Sequence, residues 1–202
     1  MSRATAHLTL VDPVLGAFIA RAEPLRRPPS EFTEPYHALL SAVAHQQLHA
    51  RAAIAILGRL RVHFGGELPQ PAALLALPVE ALRACGFSAA KIIALRDVAE
   101  KTAAGVVPSA AAASRLNDEN LITRLTQIRG IGRWSVEMLL IFTLRRANVL
   151  PVDDFGVREG YRLLHGLAAQ PKPKALALLG QAYAPHRTLA ALYFWQAADL
   201  AK

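Results

Sequence analysis

Two consecutive aspartates, Asp153 and Asp154, stand where a carboxylate could do chemistry, because they follow Pro151-Val152 and precede a predicted helix. A carboxylate held in a fixed place can stabilise a positive charge that develops during a reaction, and it can orient or deprotonate an attacking water. Aspartate at the start of a helix is, however, most often only a cap. The dipeptide alone therefore leaves both interpretations open.

A second candidate lies upstream, where Gly130 and Gly132 flank one residue in a tight turn. Apolar spacing predicts a helix before the turn, and an apolar run over residues 133–144 predicts a mostly buried helix after it. Glycines allow positive backbone angles and the close approach of another backbone. The first amides of the second helix would face outward beside this turn, an arrangement that binds anions. Because the formal net charge is +8, we expect that anion to be a nucleic-acid phosphate.

Together these stretches resemble the helix-hairpin-helix superfamily of DNA glycosylases, most closely its 3-methyladenine branch. The matching segments are Ile128-Arg129-Gly130-Ile131-Gly132-Arg133-Trp134-Ser135 and Pro151-Val152-Asp153-Asp154-Phe155-Gly156, and the resemblance covers about residues 30 to 197. It implies that Asp154 is the catalytic carboxylate and leaves the helix cap to Asp153. Such hairpins also serve as nonspecific DNA anchors in other proteins, so the hairpin alone does not identify the family. The resemblance depends on the combination of the hairpin, Trp134 and the aspartate that follows at this interval.

The resemblance also implies an aromatic pocket for a base that is flipped out of the duplex. Trp134, Phe155 and Trp195 match pocket positions of the family, whereas Met138 stands where some relatives have another aromatic residue. Stacked rings favour a cationic base, as N3- or N7-alkylated purines are, and such a base is also a good leaving group. Relatives that also cut the strand have a lysine where this chain has Trp134. Tryptophan cannot form a Schiff base, so we expect base release without strand cleavage.

The junction of Gln47, Leu48 and His49 between two predicted helices also resembles the family, in which this loop enters the minor groove. The resemblance implies that Leu48 is the wedge that fills the gap left by the extruded base, and that His49 is a neighbouring groove contact. The residues alone also allow Leu48 to be a core residue and Gln47 a helix cap.

Phosphate contacts are predicted at the hairpin and at scattered arginines. The hairpin positions are Arg129, Gly130, Ile131, Gly132 and Arg133. The other candidates, each of which could equally be a solvated surface charge, are Arg26, Arg27, Arg51, Arg145, Arg146, Arg158 and Arg187.

Family hairpins can bind a monovalent cation through backbone carbonyls. The resemblance assigns such a structural Na⁺ or K⁺ to the carbonyls of Thr126, Ile128 and Ile131. The histidines show no metal-ligand spacing, and the single cysteine, Cys85, excludes a four-cysteine iron–sulfur cluster, a cysteine zinc site and an internal disulfide. We therefore expect no catalytic cofactor.

The predicted fold is all-α, with about ten helices, because apolar residues recur at helical spacing and no alternating strand pattern occurs. Helix caps are predicted at Asp12, Ser88 and Asn117. The resemblance implies two helical lobes around a cleft. Residues 1–35 and 147–202 would form one lobe, and residues 36–146, with the hairpin at 129–132, would form the other.

Taken together, the residues and the resemblance predict a monofunctional DNA glycosylase of base excision repair that leaves an abasic site. Its partner would be double-stranded DNA containing damaged bases, and the protein would act as a monomer. No apolar run approaches a membrane span, so we expect no membrane association and an intracellular location, in the bacterial cytoplasm or nucleoid, or the nucleus if eukaryotic.

The hairpin is compatible with two other functions. A hairpin protein that binds lesions without chemistry is disfavoured by Asp154, and a glycosylase for deaminated or mismatched bases fits the aromatic, lysine-free pocket less well.

Overall fold

The computed structural model describes residues 2–25 and 30–201, and every regular element within these ranges is a helix, which confirms the all-α prediction. Arg26 and Arg27 lie outside the described residues. The α-helices are α1 (Arg3–Val11), α2 (Pro13–Arg21), α3 (Pro35–His45), α4 (Ala50–Val62), α5 (Pro71–Ala76), α6 (Val79–Ala84), α7 (Ala89–Ala103), α8 (Ala110–Ala113), α9 (Asp118–Leu125), α10 (Arg133–Met138), α11 (Phe155–Leu164), α12 (Pro173–Leu179) and α13 (Arg187–Leu200), with a π-helix at Leu139–Thr143.

Thirteen α-helices in the described ranges exceed the ten or so that were predicted. The helices without a sequence signal are α1 and α8, which bury only Leu8 and Ala113, respectively. Neither helix has two buried residues at helical spacing, and neither has the proline in its first turn that marks the similarly short α5 and α12.

The predicted caps at Asp12, Ser88 and Asn117 are confirmed. The side chain of each accepts a hydrogen bond from the backbone amide three residues further on, at the start of α2, α7 and α9, respectively. Each thereby satisfies an amide that has no partner within its helix.

The chain divides into two compact units: a terminal unit of Met1–Pro29 with Arg145–Lys202, and a central unit of Ser30–Leu144. In the described part of the chain, no helix is both long and apolar enough to cross a membrane.

In the central unit, α3 packs against α4 and α7, and α5 also packs on α7. The helix after the hairpin differs from prediction: α10 ends at Met138 and continues as the π-helix, where the Leu144 amide donates to the Leu139 carbonyl at 2.9 Å. This five-residue step is the π pattern, which often occurs at functional sites. An apolar run does not distinguish it from an α-helix, because both bury apolar side chains.

In the terminal unit, α11 packs along α13, and α2 contacts both. The close fit of α11 on α13 depends on Gly160, because a Cβ there would lie 1.8 Å from the carbonyl oxygen of Phe194. Phe194 is fully buried in the apolar core of this unit. Only glycine at position 160 allows the two backbones to approach this closely.

Candidate active site and nucleic-acid interface

Asp154 is both the cap of α11 and a hydrogen-bond acceptor for a tryptophan. Its Oδ1 accepts the Val157 amide at 2.8 Å and the indole Nε1–H of Trp195 at 2.7 Å. The expectation that Asp153 is the cap is wrong: Asp153 is exposed in the preceding turn, and Asp154 occupies the cap position. Capping and a fixed, chemically useful orientation are thus combined in one carboxylate.

The segment that leads to Asp154 is attached to the first turn of α13 by Thr188. The buried Thr188 hydroxyl donates to the Arg146 carbonyl at 2.8 Å and accepts the Val149 amide at 3.0 Å. The Thr188 amide also donates to the Ala147 carbonyl at 3.0 Å. Helix α13 therefore holds this part of the chain at two places, through Thr188 before the aspartates and through Trp195 at Asp154.

The predicted pocket residues differ in where the structure places them. Phe155 is the first residue of α11 and is 71% exposed, whereas Trp195 is partly buried and contacts Asp154 directly. Trp134, 46% exposed, and the half-buried Met138 stand four residues apart on α10 and therefore share one face of that helix. Asp154, Phe155 and Trp195 thus belong to the terminal unit, and Trp134 and Met138 to the central unit.

At the hairpin, the two glycines serve different purposes. Gly130 has φ +76°, and a Cβ there would lie 3.1 Å from the Ala94 methyl group on α7. Gly132 precedes α10 with φ −92°, so the prediction of a positive angle holds for Gly130 but not for Gly132. A Cβ at Gly132 would have no neighbouring atom within 4 Å, so this side of the turn is open.

Two side chains that the sequence did not single out hold the hairpin in place. The Asp97 carboxylate on α7 accepts the Arg129 amide at 2.7 Å. Gln46 Nε2 donates to the Gly130 carbonyl at 2.7 Å, which joins the loop after α3 to the hairpin. The sequence shows both glutamines, but the resemblance predicts a DNA contact only for Gln47.

The loop itself presents Leu48 to solvent. Leu48 is 40% exposed, and Gln47 has φ +55°, a left-handed conformation that costs a non-glycine residue free energy. The residue at the cap of α4 is His49, without a side-chain capping bond. The alternative with Leu48 in the core and Gln47 as a cap is therefore wrong, and the role of Leu48 as a wedge remains a prediction.

The Arg133 side chain is engaged by two carboxylates of its own unit. Its Nε donates to Glu137 at 3.0 Å, and its two terminal nitrogens donate to Glu119. Hydrogen bonding to Arg133 lowers the pKa of Glu119, and the bond to Glu119 raises the pKa of Arg133. Of the other predicted contacts, Arg158 and Arg187 each donate to a backbone carbonyl through Nε.

No group of three or more His, Cys, Asp or Glu side chains suitable for a metal occurs among the described residues. At the predicted hairpin cation site, the Ile128 carbonyl accepts the Ile131 amide at 3.1 Å. A carbonyl oxygen has a second lone pair, so this bond is compatible with a bound Na⁺ or K⁺. The site for such a cation at Thr126, Ile128 and Ile131 remains a prediction.

Comparison with known proteins identifies the family of this chain. Residues 40–185 match the model of the "HhH-GPD superfamily base excision DNA repair protein". The chain is 48% identical to DNA-3-methyladenine glycosylase 1 of Schizosaccharomyces pombe over 85% of its own length and 75% of that protein.

Two solved structures are similar along most of the chain. The S. pombe 3-methyladenine DNA glycosylase (Mag1) in complex with abasic DNA has a TM-score of 0.83 and 44% identity, covering 96% of each chain. A DNA-3-methyladenine glycosidase from Bacillus halodurans has a TM-score of 0.89 and 36% identity, covering 98% of this chain and 89% of the other. The chain belongs to the HhH-GPD superfamily of base excision DNA repair proteins.

Proposed function

We propose that this protein is a monofunctional DNA-3-methyladenine glycosylase of base excision repair that releases alkylated purines from double-stranded DNA. The observation that carries the proposal is the Asp154 carboxylate, fixed at the start of α11 by the Val157 amide and by the Trp195 indole. Its relatives support the choice of substrate class, since the S. pombe and B. halodurans proteins are named for 3-methyladenine.

Asp154 acts on the sugar. When the bond between base and sugar breaks, its electrons leave with the base and positive, oxocarbenium-like charge develops on the sugar. The Asp154 carboxylate stabilises this charge and orients the water whose oxygen bonds to C1′. A cationic methylated purine leaves as a neutral base, and the water proton that is lost passes to the carboxylate or to solvent. The products are a free base and an abasic site.

The aromatic side chains select the base. A cationic purine gains about 2 kcal/mol from an aromatic face once stacking has removed water from both, and the exposed rings of Trp134 and Phe155 are accessible to a base. Because Trp134 cannot form a Schiff base, the strand stays intact after base release.

The hairpin and the exposed Leu48 bind the DNA. The hairpin backbone at Gly130 and Gly132 contacts phosphate without regard to sequence, and Leu48 enters the gap left by the flipped base. The S. pombe relative was crystallised with abasic DNA, which supports DNA as the partner. The enzyme acts as a monomer, inside the cell where its DNA substrate is.

The test is incubation of the protein with methylated duplex DNA, with chromatography of the released bases and gel analysis of the strand. We expect 3-methyladenine and 7-methylguanine in solution and a strand that breaks only after alkali. Strand cleavage without alkali would contradict the monofunctional assignment. Binding of the duplex without release of any modified base would instead show a lesion-binding protein, and release restricted to deaminated bases would show the other glycosylase class.

A further inference from the structure

Gly156 is the second residue of α11 and has no conformational reason to be glycine. It lies within the helix, and its φ is not positive. Glycine is a poorer helix former than alanine, so the local helix would be more stable with a side chain at this position. The reason for glycine at position 156 therefore lies in the space around it.

That space is occupied by the two partners of the hydrogen bond at Asp154. A Cβ at position 156 would lie 2.7 Å from Trp195 Cδ1, 3.1 Å from Trp195 Nε1 and 3.2 Å from Asp154 Oδ1. The Trp195 indole donates to that same Oδ1 at 2.7 Å. Any side chain at 156 would therefore push on both ends of this bond.

Moving helix α13 away from α11 would relieve the intrusion only by opening the core. One turn further along α11, Gly160 meets the Phe194 backbone, where a Cβ would lie 1.8 Å from the carbonyl oxygen, and Phe194 precedes Trp195. Phe194 is fully buried, so an outward movement of α13 would leave a cavity around it, which costs more than a rotation of one side chain. With a methyl group at 156, the adjustment has to come from the side-chain torsions of Trp195, which turns the indole N–H away from the carboxylate.

We propose that Gly156 is a positioning residue for the catalytic carboxylate: its missing side chain leaves the space in which the Trp195 indole holds Asp154. The proposal rests on the proposed function, which gives Asp154 its role on the sugar. Gly156 acts through Trp195, because glycine has no side chain with which to contact the substrate.

The first test is Gly156→Ala. Displacing a catalytic group by a fraction of an ångström to an ångström costs up to about a hundredfold in rate, so we expect single-turnover release of 3-methyladenine to slow by about tenfold to a hundredfold. Affinity for an abasic-site duplex should change by less than about twofold, because the hairpin and Leu48 supply it. The matched control is Gly58→Ala on α4, where a Cβ would have no neighbour within 4 Å. That variant should release base at the wild-type rate.

The second test separates action through Trp195 from a general effect on the helix. Trp195→Phe removes the indole donor and shortens the ring, so adding Gly156→Ala to it should cost little further rate. Residues that act through each other show such non-additivity. If the two rate losses multiply, or if Gly156→Ala alone releases base at the wild-type rate, the proposal is overturned.

Fluorescence reports the indole directly, since the chain has two tryptophans. In a Trp134→Phe background, Gly156→Ala should shift the Trp195 emission, and Gly58→Ala should not. An unshifted emission overturns the proposal. A wild-type protein that releases no methylated base refutes the proposed function instead, while this measurement still decides whether Gly156 positions Trp195.

Discussion

At the start of α11, one oxygen of Asp154 receives two hydrogen bonds, from an amide of its own helix and from the Trp195 indole on α13. In the turn of residues 46–49, here the wedge turn, Leu48 is 40% exposed beside the left-handed Gln47. In the first region two hydrogen bonds orient a charged group, whereas in the second an apolar side chain is partly exposed to water. A group that stabilises a transition state must be preorganised, and a group that enters DNA must be accessible.

The largest expected effect is at the fixed carboxylate. Asp154→Asn keeps the size and the capping capacity of the side chain but removes its negative charge. Loss of one preorganised electrostatic contact typically slows a reaction by about a hundredfold to a thousandfold, and we expect this loss in single-turnover release of 3-methyladenine. Asp153→Asn, a change of the exposed neighbour, is the matched control and should retain most activity. Wild-type release by Asp154→Asn would remove Asp154 from the mechanism.

The terminal unit also contains a buried carboxylate whose contribution to stability depends on pH. Asp12, the cap of α2, accepts hydrogen bonds from Tyr183 at 2.7 Å and from His165, at the end of α11, at 3.0 Å. Burial alone raises the pKa of Asp12, but the bonds from His165, the Leu15 amide and Tyr183 outweigh it and lower this pKa from 3.8 to about 2. Because the pKa is lower in the folded state, the stabilisation is complete above about pH 4 and is lost as the pH falls toward about 2.

The charge of Asp12 is expected to contribute about 2 kcal/mol to the free energy of unfolding. The measurement is the difference in this free energy between wild type and Asp12→Asn, obtained by urea unfolding at several pH values. That difference should shrink steadily on acidification below about pH 4. The stability contributed by His165 depends on pH in the opposite direction. Its bond to Asp12 raises its pKa, so its contribution to folding stability is complete below its ordinary pKa of 6.5 and declines as the pH rises. A difference that stays constant with pH would show that Asp12 acts only as a neutral cap.

At the wedge turn, a smaller effect is expected from Leu48→Ala. Unstacking a base costs a few kcal/mol, of which the inserted side chain recovers part, so base release should slow by about tenfold. The melting temperature should change little because Leu48 is partly exposed. Val62→Ala, which shortens an apolar side chain that is 79% exposed on α4, is the matched control. If both variants behave alike, Leu48 is not the wedge.

The features found from the sequence are those that lie within one contiguous stretch. The hairpin, its flanking helices and Asp154 lie between residues 118 and 154, where turn chemistry and apolar spacing are visible. The bonds that position them are not local: Gln46 and Gly130 are 84 residues apart, Trp195 and Asp154 41, and Asp97 and Arg129 32. No period in the sequence signals such pairs, so the sequence predicts a pocket position for Trp195 but not its bond to Asp154.

The smallest expected effect tests whether the wedge turn and the hairpin act together. Gln46→Ala removes the bond from Nε2 to the Gly130 carbonyl, worth about 1 kcal/mol, so affinity for an abasic-site duplex should fall by about fivefold. The slope of log affinity against log salt should stay as steep as in the wild type, because no charge is removed. Gln70→Ala, which truncates an exposed glutamine without a capping bond before α5, is the matched control.

The decisive comparison is the double variant Gln46→Ala, Leu48→Ala. If the Gln46 bond matters because it sets the wedge turn on the hairpin, truncating Gln46 should cost less affinity once Leu48 is already gone. Independent sites would instead give free-energy losses that add to within about 0.5 kcal/mol. Additive losses would mean that Gln46 supports only the hairpin and that the exposed turn works without it. Non-additive losses would mean that phosphate binding at the hairpin and insertion of Leu48 are coupled through one side chain.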